Sequence, residues 1–416
     1  MRNSKAGFGA RLGAVVLGAA FVLTAAPPFA TQAVAAEKKN EEKKQELSPK
    51  VRDKLKAAGE ALNKGDAEKG IGLAKEALEL AVTPYDKVQS LIYIRAGYGK
   101  LHDIPNYVAT TEQLVQLDEF PVEERGQSYK TLSQFYGGQK DYQKAIEYTQ
   151  KWQQYAPNPE ADTLLWQLYY TQHDCTHGIV ALEKAVAGRE PTETELRQQN
   201  ACYYELKDNE KRQAVMEQLV KRFLKHDYIY DLMLIYEQQK IDPKAKFNIR
   251  RFEVAKDFLT RESEFVEFSE DALEAGSPTE ALTVLNKGIQ LGAVKLIAAS
   301  DHNSRMLAQA KQQAAEDKKQ VAALDKEAQA GKNGEADVKV GLVYLGLGEN
   351  QKAIDAIERG LSAERVARVK RVDDANMMLG IAHSRLGNKE AATKAFTAAA
   401  SDPRMAKAAR IWTESL

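Results

Sequence analysis

The strongest constraint on this chain is a turn residue that returns about every 35 positions across most of its length. Asp66, Asp103, Asp141, Asp174, Asp208, Asp242, Ser277, Glu316, Glu349 and Asn388 follow one another at intervals of 33 to 39 residues. A repeat of that size marks one supersecondary unit that cannot bury its apolar face alone and must stack on its neighbours. The residues around Asp141 show what the unit is. Tyr129, Leu132, Ser133 and Tyr136 precede it at helical spacing, and Tyr142, Ala145, Thr149 and Trp152 follow it at the same spacing until Pro157. Two amphipathic helices joined by a tight turn are predicted.

Small residues recur four places after the turn (Gly70, Ala145, Gly178, Ala281, Ala353, Ala392) and eight places before it (Ala58, Ser133, Ser269, Ala308, Gly341, Gly380). Two helices approach closely only where neither presents bulk, so these positions are expected to meet within each unit. The turn Asp or Asn is expected to cap the second helix. Pro105, Pro243 and Pro278 fall just after turn residues, where a helix tolerates a missing N–H.

The stretch YKTLSQFYGGQKDYQKAIEYTQKWQQYAP (Tyr129–Pro157) resembles a tetratricopeptide repeat. LLWQLYYTQHD (Leu164–Asp174), VGLVYLGLGENQKAIDAIERGL (Val340–Leu361) and MLGIAHSRLGNKEAATKAF (Met378–Phe396) are similar. The resemblance implies an all-α, right-handed superhelical solenoid of about ten stacked helix-turn-helix repeats over residues 51–416, with a concave groove. Four units depart from the pattern, placing Tyr107, Arg212, Lys246 and Gln320 where a small residue is usual. A weaker resemblance, carried by ALTVLNKGIQLG (Ala281–Gly292) and AARIW (Ala408–Trp412), links the chain to periplasmic repeat proteins associated with TonB, ExbB and ExbD systems.

The start of the chain reads as an export signal over residues 1–35. Arg2, Lys5 and Arg11 precede a largely apolar run from Leu12 to Ala26, and Ala33-Val34-Ala35 offers a cleavage site. A retained N-terminal anchor is the alternative; with cleavage, the protein is periplasmic and not integral to the membrane. Residues 36–50 are charge-rich, with Leu47 their one large aliphatic side chain, and read as a flexible leader. The whole chain carries 59 basic and 59 acidic side chains, a balance that argues against a nucleic-acid partner.

No catalytic motif of recognised spacing occurs, and no catalytic residue or cofactor is assigned. His173, Cys175 and His177 hold the only clustered ligand chemistry, but His173 lies at the turn and no fourth ligand is evident, so no metal is assigned. Cys175 opens one helix and Cys202 lies late in the next, antiparallel one, so a disulfide between them competes with two packed thiols. The basic run RVARVKR (Arg365–Arg371) reads as an amphipathic helix with a solvated face.

The family resemblance implies that the first helix of each unit lines the groove. Offsets from the turns then place Ile92, Lys130, Gln134, Gln167, Tyr170, Arg197 and Tyr204 on an amide- and tyrosine-rich wall suited to extended peptide. Val338, Leu342, Leu345, Met377 and Ile381 form an apolar stretch, either a docking pocket or a face already covered by neighbouring helices. The expected function is a non-catalytic scaffold for a protein partner of the bacterial cell envelope. The alternative is a carbohydrate-binding scaffold for polysaccharide export or peptidoglycan assembly.

Overall fold

A left-handed residue closes the first helix at turn after turn. Gly65, His102, Lys140, His173, Lys207, Gly276, Gly348 and Gly387 each stand one place before a turn residue, with φ between 54° and 87°. The N–H of the turn residue then reaches back over the helix end, as from Asp141 to the Tyr136 carbonyl and from Glu349 to the Tyr344 carbonyl, both at 2.9 Å. Six turn aspartates cap the helix that follows: Asp66, Asp103, Asp141, Asp174, Asp208 and Asp242 accept backbone N–H bonds at 2.9 to 3.3 Å. Ser277, Glu349 and Asn388 do not cap with their side chains, contrary to expectation for the asparagine. Glycine relieves left-handed strain of about 1 kcal/mol, so Lys140→Gly is expected to raise the midpoint of urea unfolding by that equivalent.

The computed structural model describes residues 46–416. The expected signal and leader residues 36–45 lie outside the described residues. The described residues divide into two compact units, one ending at Leu206 and the other Lys207–Leu416. The first holds α1 Pro49–Asn63, α2 Ala67–Glu79, α3 Pro84–Lys100, α4 Ile104–Val115, α5 Val122–Gly138, α6 Tyr142–Tyr155, α7 Pro159–Thr171, α8 Cys175–Ala185 and α9 Glu193–Glu205. The second holds α10 Asn209–Phe223, α11 His226–Gln238, α12 Pro243–Ala255, α13 Glu262–Glu274, α14 Pro278–Gln290, α15 His302–Ala330, α16 Gly334–Gly346, α17 Asn350–Gly360, α18 Val372–Arg385, α19 Lys389–Ala400 and α20 Ala406–Thr413. No strand occurs among the described residues. The fold is all-α, built of stacked helical hairpins.

In the first unit each helix packs on the next, around a core that runs from Val51 and Leu55 through Leu114 and Leu132 to Trp152 and Ala161. Part of the expected leader is structured: α1 begins at Pro49. Leu47 packs on this core, and Ser48 donates to the buried Asp86 carboxylate from its N–H (2.9 Å) and its hydroxyl (2.7 Å). Burial would raise the Asp86 carboxyl, but these bonds and those from Thr83 outweigh it and hold the carboxyl at about 2. A depressed carboxyl contributes stability above its unfolded value near 3.8, lost as pH falls towards 2. Asp86→Ala is therefore expected to cost about 1–2 kcal/mol at neutral pH and much less in acid, read by urea unfolding at both.

Arg125 shows how a loop is held without secondary structure. It is buried, and its guanidinium donates to the carbonyls of Val115 and Phe120 at 2.9 and 3.2 Å, and to those of Leu117 and Asp118. These carbonyls end α4 or follow it, where orphan acceptors and the helix dipole both favour a cation.

The second unit departs from the repeat in three places. Glu316 is no turn: α15 runs through it for 29 residues, because nothing from His302 to Ala330 breaks a helix and Ala, Gln, Lys and Glu favour one. At Asp242 the register slips by one. Lys240 is the left-handed residue, the Ile241 N–H makes the return bond to Tyr236, and Asp242 caps α12 one place late. The run Arg365–Arg371 is no amphipathic helix; it holds one three-residue 3-10 turn, Val366–Arg368. Arg365 is drawn to the buried Asp337 (2.9 Å), and Arg371 to Asp373 and Asp242 (2.6 and 3.0 Å), so ion pairing replaces helical order there.

Helices far apart in sequence also meet inside this unit. The Trp412 indole of α20 donates to the Asn248 carbonyl of α12 at 2.8 Å and packs edge-on against Phe252. The Asn248 side-chain amide in turn donates to Asp374 of α18 at 3.1 Å. The unit therefore closes on itself, with α12 against both α18 and α20.

Candidate functional site

The candidate surface of the first unit lies where α5 and α7 expose their flanks. Gly137 and Gly138 end α5 without side chains, and this leaves a cleft of about 260 Å³. Leu164 and Leu168 of α7 give it an apolar floor, and Gln134, Glu160, Thr163 and Gln167 form its rim. A Cβ on Gly138 would meet nothing within 4 Å, so the space there is open.

Charge on this face is largely neutralised. Lys130 pairs with Glu160 at 2.7 Å and lies 5.1 Å from the centre of the Trp152 ring. Arg95 pairs with Glu124 at 2.8 Å. Gln134 and Gln167 make no side-chain hydrogen bond among the described residues, so two amides with donors and acceptors face the solvent at the rim. Tyr170 is half-buried; burial and the Glu205 charge raise its hydroxyl, Arg197 opposes them, and the group stays an O–H donor at neutral pH.

All seven residues expected on this wall are accessible: Gln134, Arg197 and Tyr204 are exposed, and Ile92, Lys130, Gln167 and Tyr170 partly so, Ile92 while packing against the core. The structure brings Gln134 and Gln167 to one cleft and Arg197 into the field of Tyr170. The apolar stretch of the second unit is not an open pocket. Val338, Leu345, Met377 and Ile381 are buried and Leu342 is half-buried, because closure of the unit packs α16 and α18 against α12, α14 and each other.

Two sets of residues escaped the sequence reading. Glu160 and Leu164 line the cleft from positions that the offsets skip. Tyr230 and Leu234 of α11 are exposed because the slip at Asp242 puts them, in place of their neighbours, at the groove offsets. Lysine before Ile-Asp-Pro was the one available sign: Pro243 must sit at the first helical position, which fixes Asp242 as cap rather than turn.

His173 and His177 do not form a metal centre with Cys175. Cys175 and Cys202 are joined in a disulfide with Cα atoms 5.2 Å apart, spanning the start of α8 and the end of α9. His177 is held by the Asp174 carboxylate at 2.7 Å, and His173 occupies the left-handed turn position. Among the described residues no group of three His, Cys, Asp or Glu side chains is placed to hold a metal ion. None of their helices is long and apolar enough to cross a membrane.

In three hairpins the small positions meet as the spacing requires. Gly70 faces the Ala58 carbonyl, Gly341 faces the Ala353 carbonyl, and the Ser269 hydroxyl donates to the Ala281 carbonyl at 3.4 Å. The described helices pair as helix-turn-helix hairpins. No family model matches the chain, and no curated protein does. Among solved structures it is similar to a tetratricopeptide repeat protein from Parabacteroides merdae, at 8% identity and a TM-score of 0.29, covering 80% of this chain and 99% of that one. It is also similar to TTC0263, a thermophilic tetratricopeptide protein of Thermus thermophilus, at 14% identity and TM-score 0.20, over 45% of this chain and 97% of that one. The tetratricopeptide domain of P58(IPK) gives 12% identity and TM-score 0.22, over 88% and 99%.

Proposed function

We propose that the protein is a non-catalytic scaffold of the bacterial cell envelope that holds an extended peptide of a partner protein on the α5–α7 face. The cleft beside Gly137 and Gly138 carries this reading. An apolar floor accepts one side chain of the peptide. The amides of Gln134 and Gln167 bond its main chain, and Tyr170 and Arg197 extend the contact towards α9. Helices rather than loops carry these groups, so little freedom is lost on binding. Export rests on the signal-like residues 1–35 and is supported by the disulfide, which an oxidising compartment preserves. A place in a TonB-linked transport assembly is the finer form of the proposal.

Affinity capture from envelope extracts tests it. The wild-type chain is expected to retain a protein, and Gln134→Ala/Gln167→Ala to retain at least about tenfold less, the loss of one or two main-chain bonds. Gly138→Leu, which fills the cleft, is expected to do the same while circular dichroism stays unchanged. Retention of glycan without protein would favour the carbohydrate-binding scaffold. Recovery of the protein in the cytosolic fraction would remove the envelope assignment.

A further inference from the structure

Three helices of the second unit bring one histidine and two glutamates together away from any cleft. His226 opens α11, Glu253 lies in α12, and Glu264 lies in the first turn of α13. The His226 Nε2 stands 3.4 Å from Glu264 Oε1 and 4.0 Å from Glu253 Oε1. Both glutamates are buried, and the imidazole is largely covered by Phe258, with ring centres 5.7 Å apart, and Tyr230. Glu264 Oε2 accepts the N–H groups of Thr260 and Arg261 at 2.8 and 2.9 Å, which anchors that carboxylate. Its other oxygen and the His226 Nε2 have no hydrogen-bond partner, although they face each other.

We propose that His226, Glu253 and Glu264 form a proton-controlled clasp that holds α11 against α12 and α13 while Glu253 keeps its proton and loosens when that proton is lost. The His226 Nε2 lies within 4.0 Å of both buried carboxyl groups. Loss of the Glu253 proton leaves two buried negative charges around the ring, and the surrounding charges relieve this only in part. Arg250 of α12 is claimed by Glu267 and by Asp271 of α13, the latter at 2.9 Å, and Arg261 reaches Glu264 only at 3.8 Å. Glu237 of α11 adds negative charge. On the α10 side, Arg212 acts on Asp231 and Glu217 accepts from Tyr236. On the α18 and α20 side, Asp374 pairs with Lys244 and Arg410 with Glu217.

The direction follows from Glu253. Burial raises its carboxyl, Arg250 opposes, Glu264, Glu267 and Glu237 add to the rise, and the result is about 7 against an ordinary 4.5. A raised carboxyl stabilises the closed form below 4.5, and that advantage is lost as pH rises to about 7. The consequence reaches the surface, because α11 also displays the exposed Tyr230 and Leu234.

Native-state hydrogen exchange on the full chain between about pH 5 and pH 8, corrected for intrinsic exchange, tests the clasp. The opening constant of α11 is expected to rise by up to about tenfold per pH unit and level off above about pH 7. Glu253→Gln keeps the shape and removes the titration, so its α11 opening is expected to stay flat. His226→Gln takes away the ring that faces both carboxyl groups and is expected to raise α11 opening at every pH. An opening constant independent of pH in wild type, the same slope in both variants, or an equal slope in α14 would overturn the proposal.

Discussion

Replacing Glu280 by alanine is expected to destabilise the second unit by about 3–5 kcal/mol, the cost of stranding a buried cation. Glu280 is buried on α14 and receives two guanidinium groups. Arg251 donates from Nε and Nη2 at 2.9 and 2.7 Å, and Arg385 from Nη2 at 2.8 Å. The Ser277 hydroxyl adds a fourth bond at 2.9 Å. Burial alone would push this carboxyl up, but Arg251 and Arg385 overcome it and hold it at about 2. Its contribution is therefore present above the ordinary 4.5 and fades only as pH falls towards 2. The bond set joins α12, α14 and α18, so its loss strikes the closure of the unit and not one hairpin. Urea unfolding at neutral pH followed by Trp412 fluorescence reads the effect. A change below about 1 kcal/mol would mean that the unit does not depend on this contact. Replacing Glu280, Arg251 and Arg385 together by apolar residues is expected to recover part of the loss, since no cation is then left buried.

Breaking the Cys175–Cys202 bond by replacing both cysteines with alanine is expected to cost the first unit about 3–4 kcal/mol, from the closure entropy of the intervening loop. The bond spans 27 residues and ties α8 to α9, where no further hairpin of this unit follows. Both cysteines are buried, so alanine leaves no unpaired polar group behind. Exchange protection in α9 is expected to fall most, and reductant is expected to reproduce the effect in the wild-type chain. Equal stability of the reduced and oxidised chains would contradict the assignment.

Local features of the fold were legible because they rest on residues near in sequence. Turn aspartates and the small residues that meet across a hairpin all lie within one unit, and their spacing alone predicts Gly341 against Ala353. Glu316 misled for the opposite reason. An acidic residue at the right interval suggests a turn, whereas the absence of Gly, Pro or Asn from Ser304 to Ala330 favours an unbroken helix. The closure of the second unit was not legible at all. Trp412 and Asn248 are 164 positions apart, and no periodicity announces which helix a C-terminal tryptophan will meet. That contact decides the site as well, because it converts Met377 and Ile381 from a candidate trough into core. On the first unit the offsets bring Gln134 and Gln167 to one cleft because the hairpin register there is regular.

Photocrosslinking in living cells offers the most direct test of the central claim that the α5–α7 face holds a protein partner. A photoreactive amino acid placed at position 134 or 167 is expected to trap a protein, while the same group at position 184, on the exposed side of α8, traps none. Adducts at position 184 with none at 134 or 167 would contradict the account.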